Sequence, residues 1–131
     1  MGIEPKIIHT RGSYEPIGPF SQAVVVGNLV FTAGLGGLNP ETGKVDSEEV
    51  EAQTAQCMEN LKNVLEAAGT GLQGVVKAVV YLKDMNDFST MNQVYARYMG
   101  DHRPARSCVA VKELPAREVV KVEAVAVLND D

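Results

Sequence analysis

The chain of 131 residues contains no tryptophan, two histidines and two cysteines, and its aromatic content is only 5%. Each shortage excludes something. Few aromatics leave few platforms on which single-stranded bases could stack. Cys57 and Cys108 are too few for a disulfide scaffold, and a reducing, intracellular setting is the simpler reading. Positive charge is scarce as well: 12 Lys and Arg face 17 Asp and Glu, a formal net charge of −5. Such a surface does not concentrate phosphate backbones, so nucleic acid is disfavoured as a partner. No apolar run approaches the roughly 20 residues needed to span a bilayer. Met1-Gly2-Ile3-Glu4-Pro5-Lys6 shows neither a secretory signal nor the Ser/Thr of a myristoylation signal, and Asn129-Asp130-Asp131 reads as a short solvated end. A cytoplasmic chain with no membrane contact is expected.

The catalytic vocabulary is short too. His9 and His102 have no Cys or carboxylate at ligand spacing, so no metal site is expected. No G-x-S-x-G, P-loop or H-E-x-x-H occurs. Gly34-Leu35-Gly36-Gly37 resembles a phosphate loop only superficially; no helix follows it directly, and turn geometry is the favoured explanation.

What the chain does hold is 45% hydrophobic residues, much of it Val and Ala in β-branched runs. Its length suits one domain, 1–131, with no linker or internal repeat. The patterning predicts strands over 6–10, 22–26, 29–33, 75–82, 106–112 and 119–128. Gly27-Asn28 makes a tight hairpin between the second and third, and Asn39-Pro40-Glu41-Thr42-Gly43 a turn. Apolar residues at spacings of three, four and seven (Val50, Cys57, Met58, Leu61, Val64, Leu65, Ala68) predict a helix over 47–68, with Asp46 and Glu49 as a capping box and Gly69 as a left-handed cap. A second helix is predicted over 86–99 on Phe88, Met91, Tyr95, Tyr98 and Met99, started by Asn86 or Asp84 and ended by Gly100. The last strand is apolar on both faces, and two helices cover only one face of a five- or six-stranded sheet. The other should meet a second copy of the chain.

One segment carries chemistry. In Arg103-Pro104-Ala105-Arg106-Ser107-Cys108-Val109, period-two geometry puts Arg106 and Cys108 on one strand face. An arginine opening an apolar strand must find an anionic partner or water; the anion is either a bidentate ligand carboxylate or one of the 17 acids in a structural salt bridge. Cys57, on the apolar face of the first helix, is packing.

Ile17-Gly18-Pro19-Phe20-Ser21-Gln22-Ala23, Val26-Gly27-Asn28, Asn39-Pro40-Glu41-Thr42-Gly43, Asn86-Asp87-Phe88, Pro104-Ala105-Arg106-Ser107-Cys108-Val109, Leu114-Pro115 and Val122-Glu123-Ala124-Val125-Ala126-Val127 run in the order of the RidA family, also called YjgF or L-PSP endoribonuclease-like. The chain resembles that family over nearly its whole length. The resemblance implies an α+β, chorismate-mutase-like fold: a mixed β-sheet with two helices on one face. It further implies a homotrimer whose sheets form a central barrel, with a cleft at each subunit interface. The implied activity is hydrolysis of reactive 2-imino acids (2-iminobutanoate, 2-iminopropanoate) to 2-keto acids and ammonia, with no cofactor or metal. An imine carbon is already electrophilic, so such a site mainly holds a carboxylate and orients one water.

By the same resemblance Arg106 is the carboxylate anchor, Cys108 lines the pocket, Gly34 turns its backbone amide to the ligand and Asn92 is a polar residue of the cleft. The chain departs from the family pattern elsewhere. Phe20 replaces a tyrosine, Ala33 a serine and Leu35 a glutamine, and the glutamate associated with activating water is Lys121. Glu123 matches the second glutamate, two residues along. An ammonium in place of a carboxylate inverts the local charge and, in the family pocket, sets a second cation near Arg106. Two readings follow: an imine deaminase of altered or reduced activity, or a non-catalytic member binding small carboxylates or partner proteins at the same clefts. The family's older ribonuclease label conflicts with the acidic balance and sparse aromatics.

Overall fold

A computed structural model of the chain describes residues 4–129, so the first three residues of the amino-terminal segment and the Asp130-Asp131 end lie outside the described residues. Strands β1 (Lys6–Ile8), β2 (Ala23–Val26), β3 (Leu29–Thr32) and β4 (Leu35–Gly36) precede helix α1 (Val50–Ala68). Strand β5 (Val75–Leu82), helix α2 (Phe88–Met99), β6 (Ala105–Ala110) and β7 (Val120–Val127) complete the order. One sheet runs β1-β2-β3-β7-β5-β6, with the short β4 also paired to β7. All pairings are antiparallel except β5 with β6, which α2 joins as a β-α-β crossover. The sheet is mixed and the fold α+β, as expected; β4 adds a seventh strand.

Local chemistry explains the element ends. Gly27 takes φ 59° in the two-residue hairpin that sets Val26 opposite Leu29. Asn39 accepts from the Glu41 amide through its side chain and from Gly43 N–H through its carbonyl, both at 2.8 Å, closing the predicted turn. Gly69, at φ 105°, ends α1 with its N–H on the carbonyls of Leu65 and Glu66.

The predicted capping box does not form. Asp46 is held by the Asn39 amide at 3.0 Å, and Glu49 caps α1 without a side-chain bond. The helix therefore starts at Val50, three residues later than the pattern suggested. Likewise a 3-10 turn over Met85–Asp87, anchored by Asp84 Oδ1 accepting from Asn86 N–H at 2.9 Å, precedes α2.

Beneath the helices lies the core. Cys57, Met58, Leu61, Val64 and Leu65 of α1 and Met91, Val94 and Met99 of α2 are essentially solvent-free, as are Val120, Val122 and Ala126 of β7. The opposite face of β7 (Lys121, Glu123, Val125, Val127) is half-buried throughout. Phe31 pairs with Val125 and is 44% exposed, so the face away from the helices is apolar and uncovered in one chain. The second face of β7 is thus apolar at Val125 and Val127, and carries Lys121 and Glu123 at its start.

The Gly34–Gly37 segment is not a turn: among its glycines none has positive φ, and Leu35–Gly36 is a strand. Close approach explains two of them. A Cβ on Gly37 would lie 2.6 Å from the Gln53 carbonyl of α1, and one on Gly36 would lie 1.4 Å from Glu118 Oε1.

Candidate functional site

Strand register decides where the candidate residues go. Arg106 pairs with Ala78 and Cys108 with Val80, both β5 residues that face the helices. Arg106 and Cys108 therefore share the helix-side face. Lys121 pairs with Tyr81 and Glu123 with Val79, which places them on the uncovered face. Within one chain Arg106 and Lys121 are not neighbours, because the two side chains leave opposite sides of the same sheet.

Arg106 lies against α2. Its guanidinium carbon is 4.8 Å from the centre of the Tyr95 ring and 5.8 Å from that of Phe88. Among the described residues it makes no ion pair, so the structural salt bridge weighed from sequence is absent. With Asn92, Tyr95, Ala96, Arg103 and Pro104 it lines a cleft of about 300 Å³. The Arg103 guanidinium is held by the Gly100 and His102 carbonyls. Tyr95 is buried and its hydroxyl has no partner among the described residues. Burial pushes that hydroxyl up against the opposing pull of Arg106 and Arg103, so it stays a neutral donor. An anion entering the cleft meets the Arg106 guanidinium fork beside Asn92, while the Tyr95 hydroxyl is closed off from solvent. Tyr95 was read from sequence only as part of the apolar stripe; its spacing three residues after Asn92 was the available signal.

Cys108 is half-buried on the same face and is not in a disulfide among the described residues. Burial raises its thiol, partly offset by Arg106, so it is a wall residue and not an activated thiolate. Cys57 is fully buried, its thiol raised by burial and near the Val120 carbonyl at 3.5 Å, as packing predicts.

The second group gathers around β4. Gly34 lies against the stem of Lys121: a Cβ there would come within 2.9 Å of Lys121 Cδ. Ala33 precedes it, its N–H on the Gln22 carbonyl at 2.9 Å. Lys121 Nζ is 3.6 Å from Glu118 Oε2, and the Glu118 carboxylate is sealed from solvent. Sequence reading missed Glu118. Its signal was an acid three residues before Lys121 at the entry of an apolar strand. Glu123 is engaged elsewhere, accepting from Tyr81 Oη at 2.6 Å, a bond that raises the tyrosine. It is not a free substitute for the missing acceptor. Phe20 is exposed on the loop before β2, its ring against Gly18.

The histidines do structural work. His9 pairs with Glu15 at 2.6 Å on the surface, and His102 meets the Val75 carbonyl at 2.7 Å.

Residues 10–128 match the Endoribonuclease L-PSP family. The chain belongs to the RidA/YjgF/L-PSP family. A curated relative, the 2-iminobutanoate/2-iminopropanoate deaminase of Escherichia coli, is 42% identical over 93% of this chain and 97% of its own length. Among solved structures, RidA from an Antarctic Psychrobacter superposes with a TM-score of 0.91 at 39% identity, covering 94% of this chain and 99% of that one. Escherichia coli TdcF with bound serine superposes with a TM-score of 0.89 at 38% identity, over 95% and 99% of the two chains. These similarities reach both groups, from Gly34 to Lys121, and make the RidA-family fold of this chain secure.

Proposed function

We propose that this RidA-family chain hydrolyses reactive 2-imino acids to 2-keto acids and ammonia in a site assembled between subunits. The observation that carries this reading is the Arg106 guanidinium, without an ion pair among the described residues, in a cleft lined by Asn92 and Tyr95. That is a seat for a small carboxylate. The relative named as an imine deaminase and the neighbour holding serine, a small amino acid, agree with a ligand of that class.

The site is divided by the sheet. Arg106, Cys108 and Asn92 stand on the helix side, while Gly34 and Lys121 stand on the uncovered side. A second copy, laid by its apolar face against the first, can present its Gly34 and Lys121 to the first copy's Arg106. This supports the homotrimeric barrel with a cleft at each interface. Residues 1–131 then act as one domain, with substrate as the only small-molecule partner and the cytoplasm as the setting that two free thiols suit.

In this site Arg106 anchors the carboxylate, and the Gly34 amide, Asn92 and Ala33 shape the remainder. Cys108 and Phe20 are walls, and Lys121, with Glu123 beside it, faces the reacting carbon. These residues need no cofactor or metal for the reaction, because the substrate supplies its own electrophile.

The test is a stopped assay with 2-iminobutanoate generated in place by an amino-acid oxidase. Acceleration of 2-oxobutanoate release over the spontaneous rate is expected. Binding of 2-oxobutanoate with no acceleration would replace this reading by that of a carboxylate binder.

A further inference from the structure

Glu118 is 1% exposed, and neither of its carboxylate oxygens has a hydrogen-bond partner among the described residues. A buried carboxylate without a counter-charge is costly. Lys121 supplies the counter-charge, at 3.6 Å and with its own side chain 19% exposed. The surroundings are shaped to this pair. Gly36 leaves the space that Glu118 Oε1 fills, and Gly34 leaves the space for the Lys121 stem. Ala116 and Arg117, at φ 57° and 62°, hold two consecutive non-glycine residues left-handed to deliver the chain to Glu118.

Other groups face Glu118 from each packed element: Tyr14 from the loop before β2 and Cys57 from α1. Burial raises both, so both are neutral near pH 7. Lys83, Glu113 and Arg117 line the surface pocket beside it, and Arg117 is taken by Glu48. Lys121 is the charge that meets the carboxylate.

We propose that Lys121 and Glu118 work as one proton-transferring pair in imine hydrolysis, with Lys121 the catalytic group and Glu118 the positioning residue behind it. This inference rests on the deaminase reading above. An ammonium alone is a poor acceptor for a water proton. With Glu118 behind it, Lys121 passes a proton to the carboxylate as it takes one from the attacking water. The water O–H bond breaks, the C–O bond forms, and the C=N π pair moves onto the iminium nitrogen, leaving a neutral carbinolamine. The proton then returns from Glu118 through Lys121 to that nitrogen. The C–N bond breaks as the hydroxyl oxygen forms C=O, and the hydroxyl proton leaves with ammonia as ammonium. Burial lifts Glu118 above the ordinary carboxylate value, against the pull of Lys121, and so brings its protonated form closer to working pH.

The decisive comparison is Glu118→Gln against the wild-type chain with 2-iminobutanoate. A fall in kcat of about 100-fold or more is expected, with KM nearly constant and the acid limb of the pH–rate profile lost. Lys121→Met should fall alike, and the double variant no further. Carbon-13 NMR of glutamate-labelled protein gives a readout that needs no activity. Glu118 should titrate above ordinary carboxylates in the wild-type chain and higher still in Lys121→Met. Wild-type kcat and pH profile in Glu118→Gln, or a Glu118 titration indifferent to Lys121→Met, would overturn the pair while leaving the deaminase reading intact. A wild-type chain that does not accelerate hydrolysis would overturn both.

Discussion

Arg106 and Lys121 leave opposite faces of the same sheet. Arg106 shares its side with Ala78 under the helices, and Lys121 shares the other with Tyr81. In the proposed reading, a ligand touching both lies between two copies of the chain.

Subunit mixing follows from that division. Arg106→Ala and Lys121→Met chains, each nearly inactive alone, should regain activity when co-assembled. Random equal mixing leaves about a quarter of interface sites with both native residues. Imine hydrolysis measured before and after mixing checks this, and no recovery would place both groups in one subunit's site.

Among the described residues Arg106 has no ion pair to lose, so its removal should cost binding and spare the fold. A bidentate, charge-assisted contact is worth about 1.5–3 kcal/mol, or roughly 10- to 150-fold in affinity. Calorimetry with 2-oxobutanoate should show that loss in Arg106→Ala. Circular dichroism and subunit assembly should remain those of the wild-type chain. Arg106→Lys should recover only part of it, because an ammonium cannot present the planar fork.

Gly36 is tied to Glu118 by space. A methyl group there would sit 1.4 Å from Glu118 Oε1 and 2.4 Å from its carboxyl carbon. Gly36→Ala should therefore destabilise the chain by about 1–3 kcal/mol, the range of core overpacking. In a Glu118→Ala background the same change should cost much less. Urea unfolding of the four chains of this cycle measures the coupling.

Tyr14 sets an alkaline limit. It is 2% exposed, its oxygen accepts the Gly36 N–H at 2.8 Å, and burial raises its hydroxyl from 10.0 to about 12. The folded chain therefore holds that proton longer than the unfolded chain does. The stability it contributes is complete below pH 10 and is lost as pH rises towards 12, by about 2–3 kcal/mol in all. Tyr14→Phe should flatten this part of the unfolding curve relative to wild type. Parallel curves for the two chains would mean that Tyr14 titrates normally.

The uncovered face should hold the subunits together. Phe31→Glu places a charge at an apolar position that is 44% exposed in one chain. Sedimentation should show the assembly broken into folded monomers, with imine hydrolysis lost along with it.

Much of this was legible in the sequence because it depends on near neighbours. Alternation in β7, the helical spacing of Cys57, Leu61 and Leu65, and the Gly27, Gly43 and Gly69 conformations all follow from preferences acting over a few residues. Period two also fixed that Arg106 and Cys108 share a face, and the motifs around them identified the family. The errors came where distant segments compete for a group. Asp46 was a good cap until Asn39 claimed its carboxylate, and Gly34 and Gly36 looked like turn residues until Lys121 and Glu118 needed their space.

By itself, then, the sequence determined the family, the mixed α+β architecture and the excess of apolar strand surface. The tertiary structure decided on which side of the sheet each candidate stands, because the side is set by pairing register between strands as remote as β5 and β7. It also revealed Glu118 behind Lys121. A carboxylate's burial depends on what packs around it, and Tyr14, Gly36 and Cys57 reach it from three different parts of the chain.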